Sequence, residues 1–316
     1  MNPKFRLSLI IRWLVQKFGR YFKRIKEILK EKKMLNIFEE ELIWVNSAME
    51  DFHTSDLPSL FERIPLEVFG KLLLDIPDQY ANIKSFFPSM ASEEIQKNWT
   101  GSYGETLLNQ SLAFMKTLAV GYADITGKRL GEAVVLDYGC GWGRLIRLLY
   151  KYVPVDNIYG VDPWDESINI CKNNAVKGNF AVSDYVPVTL PFEKKFDLIF
   201  AFSVFTHLSE KTAHAVLTTL RRYISAEGIL ALTIRPKEYW KYHKEGILAP
   251  KMLPLHEKTG YAFEPHKLKS IDGDITYGDT SISLDYFERN FHEWKIVRVE
   301  WVEIDPYQIV IFFRPV

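Results

Sequence analysis

Two cysteines in 316 residues are too few for a disulfide framework, and Cys140 and Cys171 lack a metal-ligand spacing. That usage fits a reducing cytosol and points away from a secreted scaffold. An excess of one charge is also missing. The 40 Lys and Arg balance the 40 Asp and Glu, so the chain as a whole lacks the basic field that holds polyanions. Nucleic acid is therefore not expected as a partner. No uninterrupted apolar run reaches the roughly 20 residues that cross a bilayer. No small-residue cleavage site marks a signal peptide, and no repeat or low-complexity stretch occurs. These absences leave room for one α/β domain of about 200 residues with additions.

The charge balance hides a local imbalance. Between Lys4 and Lys33, eleven Lys or Arg stand against two Glu. Leu9, Ile10, Trp13, Leu14, Phe18, Phe22 and Ile25 are threaded through them, while Arg12 and Lys17 break the apolar core. Residues 1–33 read as a basic amphipathic helical extension. Such a helix suits an anionic membrane surface. It equally suits packing on the domain or on a second subunit. A cytoplasmic protein, peripheral at the inner face of the membrane if the extension binds there, is the expectation. The oligomeric state is left open.

Residues 34–98 read as a helical N-terminal region, with short helices between Pro58, Pro65, Pro77 and Pro88. Pro88-Ser89 looks like the capped start of a helix from Met90 to Trp99. After Trp99-Thr-Gly101-Ser102-Tyr103-Gly104-Glu105 comes an amphipathic helix, from Thr106 to about Tyr122.

The chemistry centres on Ala133–Tyr150, AVVLDYGCGWGRLIRLLY. Val134, Val135 and Leu136 have the composition of a strand buried on both faces. The chain then turns through Asp137-Tyr-Gly139-Cys140-Gly141-Trp-Gly143 and leaves as a helix carrying Leu145, Ile146, Leu148 and Leu149. The glycine spacing differs from the G-x-G-x-x-G of dinucleotide sites, which disfavours an NAD enzyme. A second strand, Asn157–Val161, ends in Asp162-Pro163-Trp164, with Asp162 standing 19 residues beyond Gly143. A carboxylate there, acceptor-only, can take both ribose hydroxyl protons.

A short third strand near Phe180–Val182 ends in Ser183-Asp184-Tyr185, and the fourth, Phe196–Phe202, runs into Ser203-Val-Phe-Thr-His207. A helix over Lys211–Ile224, a break at Gly228 and a strand over Ile229–Ile234 follow. A helix over Asp285–Phe291 precedes two strands, Trp294–Glu303 and Gln308–Phe313, readable as an antiparallel hairpin. Alternating βα units imply a mostly parallel sheet with right-handed crossovers.

The D-x-G-x-G-x-G pattern resembles motif I of the class I S-adenosylmethionine-dependent methyltransferases, and the loop after the fourth strand resembles their motif IV. The resemblance covers about residues 99–316. It implies an α/β fold: a Rossmann-like seven-stranded, mostly parallel sheet with helices on both faces, here with an N-terminal helical extension. It implies S-adenosyl-L-methionine as cofactor. Asp137, Gly139, Cys140, Gly141 and Gly143 would lie at its methionine part, and Asp162, Pro163 and Trp164 at the ribose. Ser183, Asp184 and Tyr185 would lie at the adenine, and Phe202 and Ser203 at the mouth of the sheet. Trp99, Ser102 and Tyr103 are lid residues by the same resemblance, or packing for the helix that follows. Neither Asn-Pro-Pro-Tyr nor Asp-Pro-Pro-Tyr follows the fourth strand, which argues against methylation of nucleic-acid bases.

Between the fifth strand and the closing hairpin lies Arg235–Ser283, with little helical or strand periodicity. It carries Tyr239, Trp240, Tyr242, His243, His256, Tyr261, Phe263 and His266. Long irregular segments in compact domains tend to be functional, so residues 235–283 read as an insertion forming the acceptor pocket. If the acceptor is a hydroxyl, a base is needed, and His207, His243 and His266 are the candidates. His207 could equally pin its loop or cap the next helix. Histidines without close spacing give no metal pattern, and no metal is expected. The expected reaction moves a methyl group to a hydroxyl or amine of a sugar, glycan or small metabolite. The alternatives are a cofactor-binding partner subunit without turnover, and an N-methyltransferase acting on a protein or another small molecule.

Overall fold

The computed structural model describes residues 36–302, 304–305 and 307–316. The extension expected over residues 1–33 lies outside them. Helices α1 (Glu39–Ala48), α2 (Leu57–Leu60), α3 (Leu66–Leu74), α4 (Ala81–Phe86), α5 (Glu93–Thr100) and α6 (Gly104–Thr126) lead into the sheet. The βα units are β1 (Val135–Tyr138), α7 (Arg144–Leu149), β2 (Ile158–Asp162), α8 (Asp165–Asn173), β3 (Asn179–Val182), β4 (Phe196–Ala201), α9 (Glu210–Tyr223) and β5 (Ile224–Ile234). Then come α10 (Tyr239–Tyr242), α11 (Ala249–Thr259), β6 (Tyr261–Pro265), β7 (Gly278–Ile282), α12 (Leu284–Asn290), β8 (Trp294–Trp301) and β9 (Ile309–Pro315).

Seven strands form one sheet in the order β3-β2-β1-β4-β5-β9-β8, and β6 with β7 forms a separate hairpin. β1, β2, β3, β4 and β5 pair in parallel, whereas β9 is antiparallel to both its neighbours. The order turns back on itself between β1 and β4, where two parallel strands send their connections to opposite faces and open a crevice at their carboxyl ends.

Strand alternation divides the core in two. Val135, Leu198, Phe200, Ile229, Ala231, Val310 and Phe312 face one side and share a core with α1, α3, α6 and α7. Leu136, Ile199, Leu230, Leu232, Ile311 and Phe313 face the other, against α9 and α12. The region 34–98 therefore contributes to the sheet's own core. A Cβ on Gly121 of α6 would come within 2.3 Å of the Phe312 ring, so glycine lets this helix lie close on β9.

Two expectations need correcting. The helix read from Met90 begins at Glu93, because Ser92 is the residue whose hydroxyl accepts from the Ile95 N–H. Ser89 instead gives its hydroxyl to Asn174 and its carbonyl to Arg147. The segment Arg235–Ser283, expected to be irregular, contains α10, α11 and the β6–β7 hairpin. All five residues of β7 are buried although three of them are polar, so its strand has no apolar alternation to read.

Candidate active site

The glycine turn is pinned to the second strand. The N–H groups of Gly139 and Cys140 both donate to the Val161 carbonyl, at 2.8 and 3.0 Å. Asp162, at the end of β2, accepts from Gly141 N–H at 2.9 Å and from Trp164 N–H at 3.0 Å. Burial raises the Asp162 carboxyl above its usual range, and these N–H bonds work against that rise. Asp137, only 2% exposed, is raised further, by burial and then by the Asp162 charge, with Arg144 opposing. Arg147 is buried and grips the turn from behind. It donates to the carbonyls of Trp142 and Gly143 at 2.7 and 2.9 Å, and to Ser89 at 2.6 Å.

Two observations fit a polar ligand, as S-adenosylmethionine is. Gly141 has φ +54°, and nothing lies within 4 Å of where its Cβ would stand, so the turn is an open cradle that a side chain would fill. Beyond β3, the Ser183 hydroxyl is buried without a hydrogen-bond partner, an arrangement that calls for one. Asp184 is exposed beside it and Tyr185 half-buried. Trp99 of α5 reaches the same end of β2, its ring 4.6 Å from that of Trp164. Pro163 links Asp162 to that tryptophan. Tyr103 stands at the start of α6, half exposed, and Ser102 gives its carbonyl to the Thr100 hydroxyl. Cys140 is buried, its thiol pushed upward by a hydrogen bond with Cys171 and by burial.

At the mouth, Phe202 packs under Arg144 at 4.9 Å and beside Phe114 at 4.4 Å. Ser203 holds a left-handed φ of +61°, unusual outside glycine. Its N–H goes to the Thr233 hydroxyl, and its own hydroxyl accepts from Gln308. The loop it opens touches both halves of the site. A Cβ on Gly139 would fall 2.4 Å from Val204, and three residues later His207 enters a second cluster.

That cluster is built on Asp279 of β7. The hairpin is sewn to the ends of β4 and β5 by Gly278 N–H to His207 O, Thr280 N–H to Thr206 O and Ile282 N–H to Arg235 O. Asp279, with a side chain 5% exposed, receives Arg235 at 2.8 Å and the Tyr239 hydroxyl at 2.9 Å on one oxygen, and His266 Nε2 at 2.8 Å on the other. Burial would raise its carboxyl. The His266 hydrogen bond, the Arg235 charge and the Tyr239 hydroxyl outweigh that and bring it to about 2. The histidines at 207, 243 and 266, spread over 60 positions, all meet here.

Their proton positions follow from their partners. His207 Nδ1 lies 2.7 Å from the Gly278 carbonyl and must donate, so Nε2 is the acceptor for Arg235 at 3.2 Å. Burial, reinforced by Arg235, pulls this imidazole down to about 4. His207 pins the loop. It does not cap α9, whose first turn is capped by the Ser209 hydroxyl. His243 Nδ1 meets the Tyr239 hydroxyl at 2.6 Å, and Tyr239 passes its own proton to Asp279. His243 Nε2 is left buried and unpartnered, 3.2 Å from Asp279. His207, His266 and Asp279 each offer a ligand atom within 4.8 Å of the others. Arg235 already bonds two of the three, and a fixed guanidinium in that space opposes a dication.

Arg235, Asp279 and Tyr277 were not singled out from the sequence. Tyr277 stacks on His207, ring centroids 5.0 Å apart and planes within 12°, and is 53% exposed. Their one signal in the sequence was the three histidines, imidazoles that a shared carboxylate can hold together.

A family of sequences described as "Methyltransferase domain" matches residues 135–228. No curated protein matches the chain. Among solved structures, an S-adenosylmethionine-dependent methyltransferase from Clostridium acetobutylicum ATCC 824 is 14% identical, covering 70% of this chain and 96% of its own, with a TM-score of 0.45. Magnesium protoporphyrin IX methyltransferase from Synechocystis PCC 6803, with bound SAH, is 16% identical over 75% of this chain and 99% of its own, with a TM-score of 0.47. A protein from Pyrococcus horikoshii OT3 is 19% identical over 72% and 100%, with a TM-score of 0.49. Likenesses this distant say nothing about the acceptor. The matched segment holds β1 to the start of β5 and the glycine turn, so residues 135–228 are similar to a methyltransferase domain, and the strand order around them accords with that likeness.

Proposed function

We propose that this chain is a class I methyltransferase that depends on S-adenosylmethionine and moves the methyl group to a hydroxyl of a sugar, glycan or small metabolite. The observation that carries this reading is the histidine and tyrosine cluster at the carboxyl ends of β4 and β5, sharing the Ser203–Ser209 loop with the glycine turn. The exposed face of Tyr277 beside His207, and the Tyr307 ring against Tyr239 and Tyr242, suit a sugar ring or a flat metabolite. The cofactor supplies an electrophilic methyl group on a sulfonium. The chain's own part is to bind, align and deprotonate. Asp162 keeps lone pairs free to accept from ribose hydroxyls, Ser183 offers an unpartnered hydroxyl, and Gly141 leaves room for the ligand. Asp137, Gly139, Cys140, Gly143, Pro163, Trp164, Asp184, Tyr185, Phe202 and Ser203 complete the cofactor side in this reading, with Trp99 and Tyr103 over it. Holding the two reactants close and collinear is the larger share of the catalysis.

Calorimetry with S-adenosylmethionine tests the first half. Asp162→Ala is expected to weaken binding by about 10- to 100-fold, the loss of hydrogen bonds to a charged group. Release of S-adenosylhomocysteine in the presence of hydroxylated acceptors tests the second. Binding without any release would favour a non-catalytic partner subunit.

No helix of the described residues is long and apolar enough to cross a membrane. We place the protein in the cytoplasm, with residues 1–33 resting on the anionic inner face of the membrane. Their composition, eleven cations against two Glu, supports this. The full chain is expected to sediment with vesicles containing phosphatidylserine, and a chain lacking residues 1–33 to stay in the supernatant. Equal sedimentation of both removes the proposal.

A further inference from the structure

The geometry points to His266 as the general base for the acceptor hydroxyl, with Asp279 as the residue that positions it and fixes its proton on Nε2. The inference rests on the hydroxyl-methylation reading and assigns the base within it. Three imidazoles stand at the cluster, and each has one nitrogen to consider. The His207 Nε2 lone pair is taken by Arg235 at 3.2 Å. The His243 Nε2 is buried and faces only the Asp279 carboxylate. His266 differs from both. Its Nε2 lies 2.8 Å from an ionised carboxylate, which accepts and cannot donate, so the ring proton sits on Nε2 and Nδ1 keeps a lone pair. No described residue hydrogen-bonds that Nδ1, and the side chain is 39% exposed.

The support behind His266 is rigid. Asp279 is held on its other oxygen by Arg235 and Tyr239, and Arg235 lies 4.2 Å over the Tyr239 ring and donates to the Thr206 carbonyl. The His266 backbone is tied to Tyr277 by its N–H. Its ring stands 5.2 Å from that of Tyr277 and 6.1 Å from that of His207, so the free nitrogen belongs to the same patch as the exposed tyrosine face.

The step balances without any further reactant. The acceptor oxygen forms a C–O bond to the methyl carbon as the S–C bond breaks, and that bond's electron pair stays on sulfur. The hydroxyl proton passes to Nδ1 of His266, and the imidazolium formed is stabilised by the Asp279 carboxylate. A metal at His207, His266 and Asp279 is the rival use of these atoms.

Full-length protein with 15N-labelled histidine, read by long-range proton–nitrogen correlation, tests the arrangement without an acceptor. His266 is expected as the Nε2–H tautomer, turning to a mixture in Asp279→Asn. A proton on Nδ1 in the native protein overturns the proposal. Methyl α-D-glucopyranoside, UDP-glucose and catechol then serve as hydroxyl probes. On any probe the native protein methylates, His266→Gln, a change at an exposed position, is expected to lower kcat on the order of 10²-fold or more. It should also leave S-adenosylmethionine binding unchanged. A variant that keeps kcat overturns the proposal. If the cofactor binds but no probe is methylated, the hydroxyl reading fails for these probes, and the tautomer result alone decides the base. Stoichiometric zinc binding that His266→Gln abolishes assigns the atoms to a metal and overturns it too.

Discussion

Gly141 and Asp162 act as one unit, because the N–H of the first is held by the carboxylate of the second. Putting a side chain on Gly141 separates the needs of binding from those of folding. Its φ of +54° is left-handed, a conformation that costs a non-glycine residue about 1–2 kcal/mol. No atom stands in the way of the new Cβ. Gly141→Ala is therefore expected to lower stability by about 1–2 kcal/mol while weakening S-adenosylmethionine binding about tenfold or more, read by calorimetry. Unchanged affinity would show that the open space is not the cofactor's. Asp162 was legible in the sequence because its distance from the glycine turn is set by the length of one strand and one helix. Asp279 was not, because it meets its partners only through a hairpin whose buried residues are polar.

At the scale of elements, the contact of α6 with β9 depends on an absent side chain. A Cβ at Gly121 would stand 2.3 Å from the Phe312 ring, which lies in the middle of a packed core. Gly121→Ala is expected to lower stability by about 1–3 kcal/mol through overpacking, with cofactor binding retained. A urea titration followed by circular dichroism measures it, and an unshifted midpoint would mean that helix and sheet can part freely. The β6–β7 hairpin shows why one element escaped a sequence reading. Strand recognition relies on apolar residues alternating with polar ones. Here Ser281 is buried because Trp240 Nε1 and His256 Nδ1 both need its hydroxyl, and Thr280 because it donates to the Leu208 carbonyl. Helix α11 was similarly masked, with Pro250 in its first turn and Pro254 inside it.

For the whole molecule, the buried histidines make stability depend on pH in one sense. His207 is held near 4 in the folded chain by burial and Arg235, against an ordinary value of 6.5. Burial lowers His243 and His256 as well. Below about pH 6.5 the unfolded chain binds protons that the folded chain refuses, so stability falls as the pH drops from there towards 4. Asp279 extends the fall from its ordinary 3.8 to about 2, because its ionised form is the one the cluster holds. Thermal scans from pH 7.5 to 4 are expected to show a declining melting temperature, with a shallower decline in His207→Asn. A flat profile in the native protein would mean that these rings take up protons without loosening the fold.

The sequence alone determined the order of the βα units, the glycine turn and the acidic residue one unit later. These are local matters, decided by apolar periodicity, by the torsions glycine permits and by the fixed length of a strand and helix. It also named the three histidines. Tertiary structure alone decided what those histidines are to each other. His207 is locked by Arg235, His243 is half-buried against Tyr239 with its Nε2 enclosed, and His266 is left with one open nitrogen, because β7 carries a single carboxylate to the ends of β4 and β5. Which imidazole can take a proton depends on which lone pairs other residues have already filled, and those residues are brought together only by the packed chain.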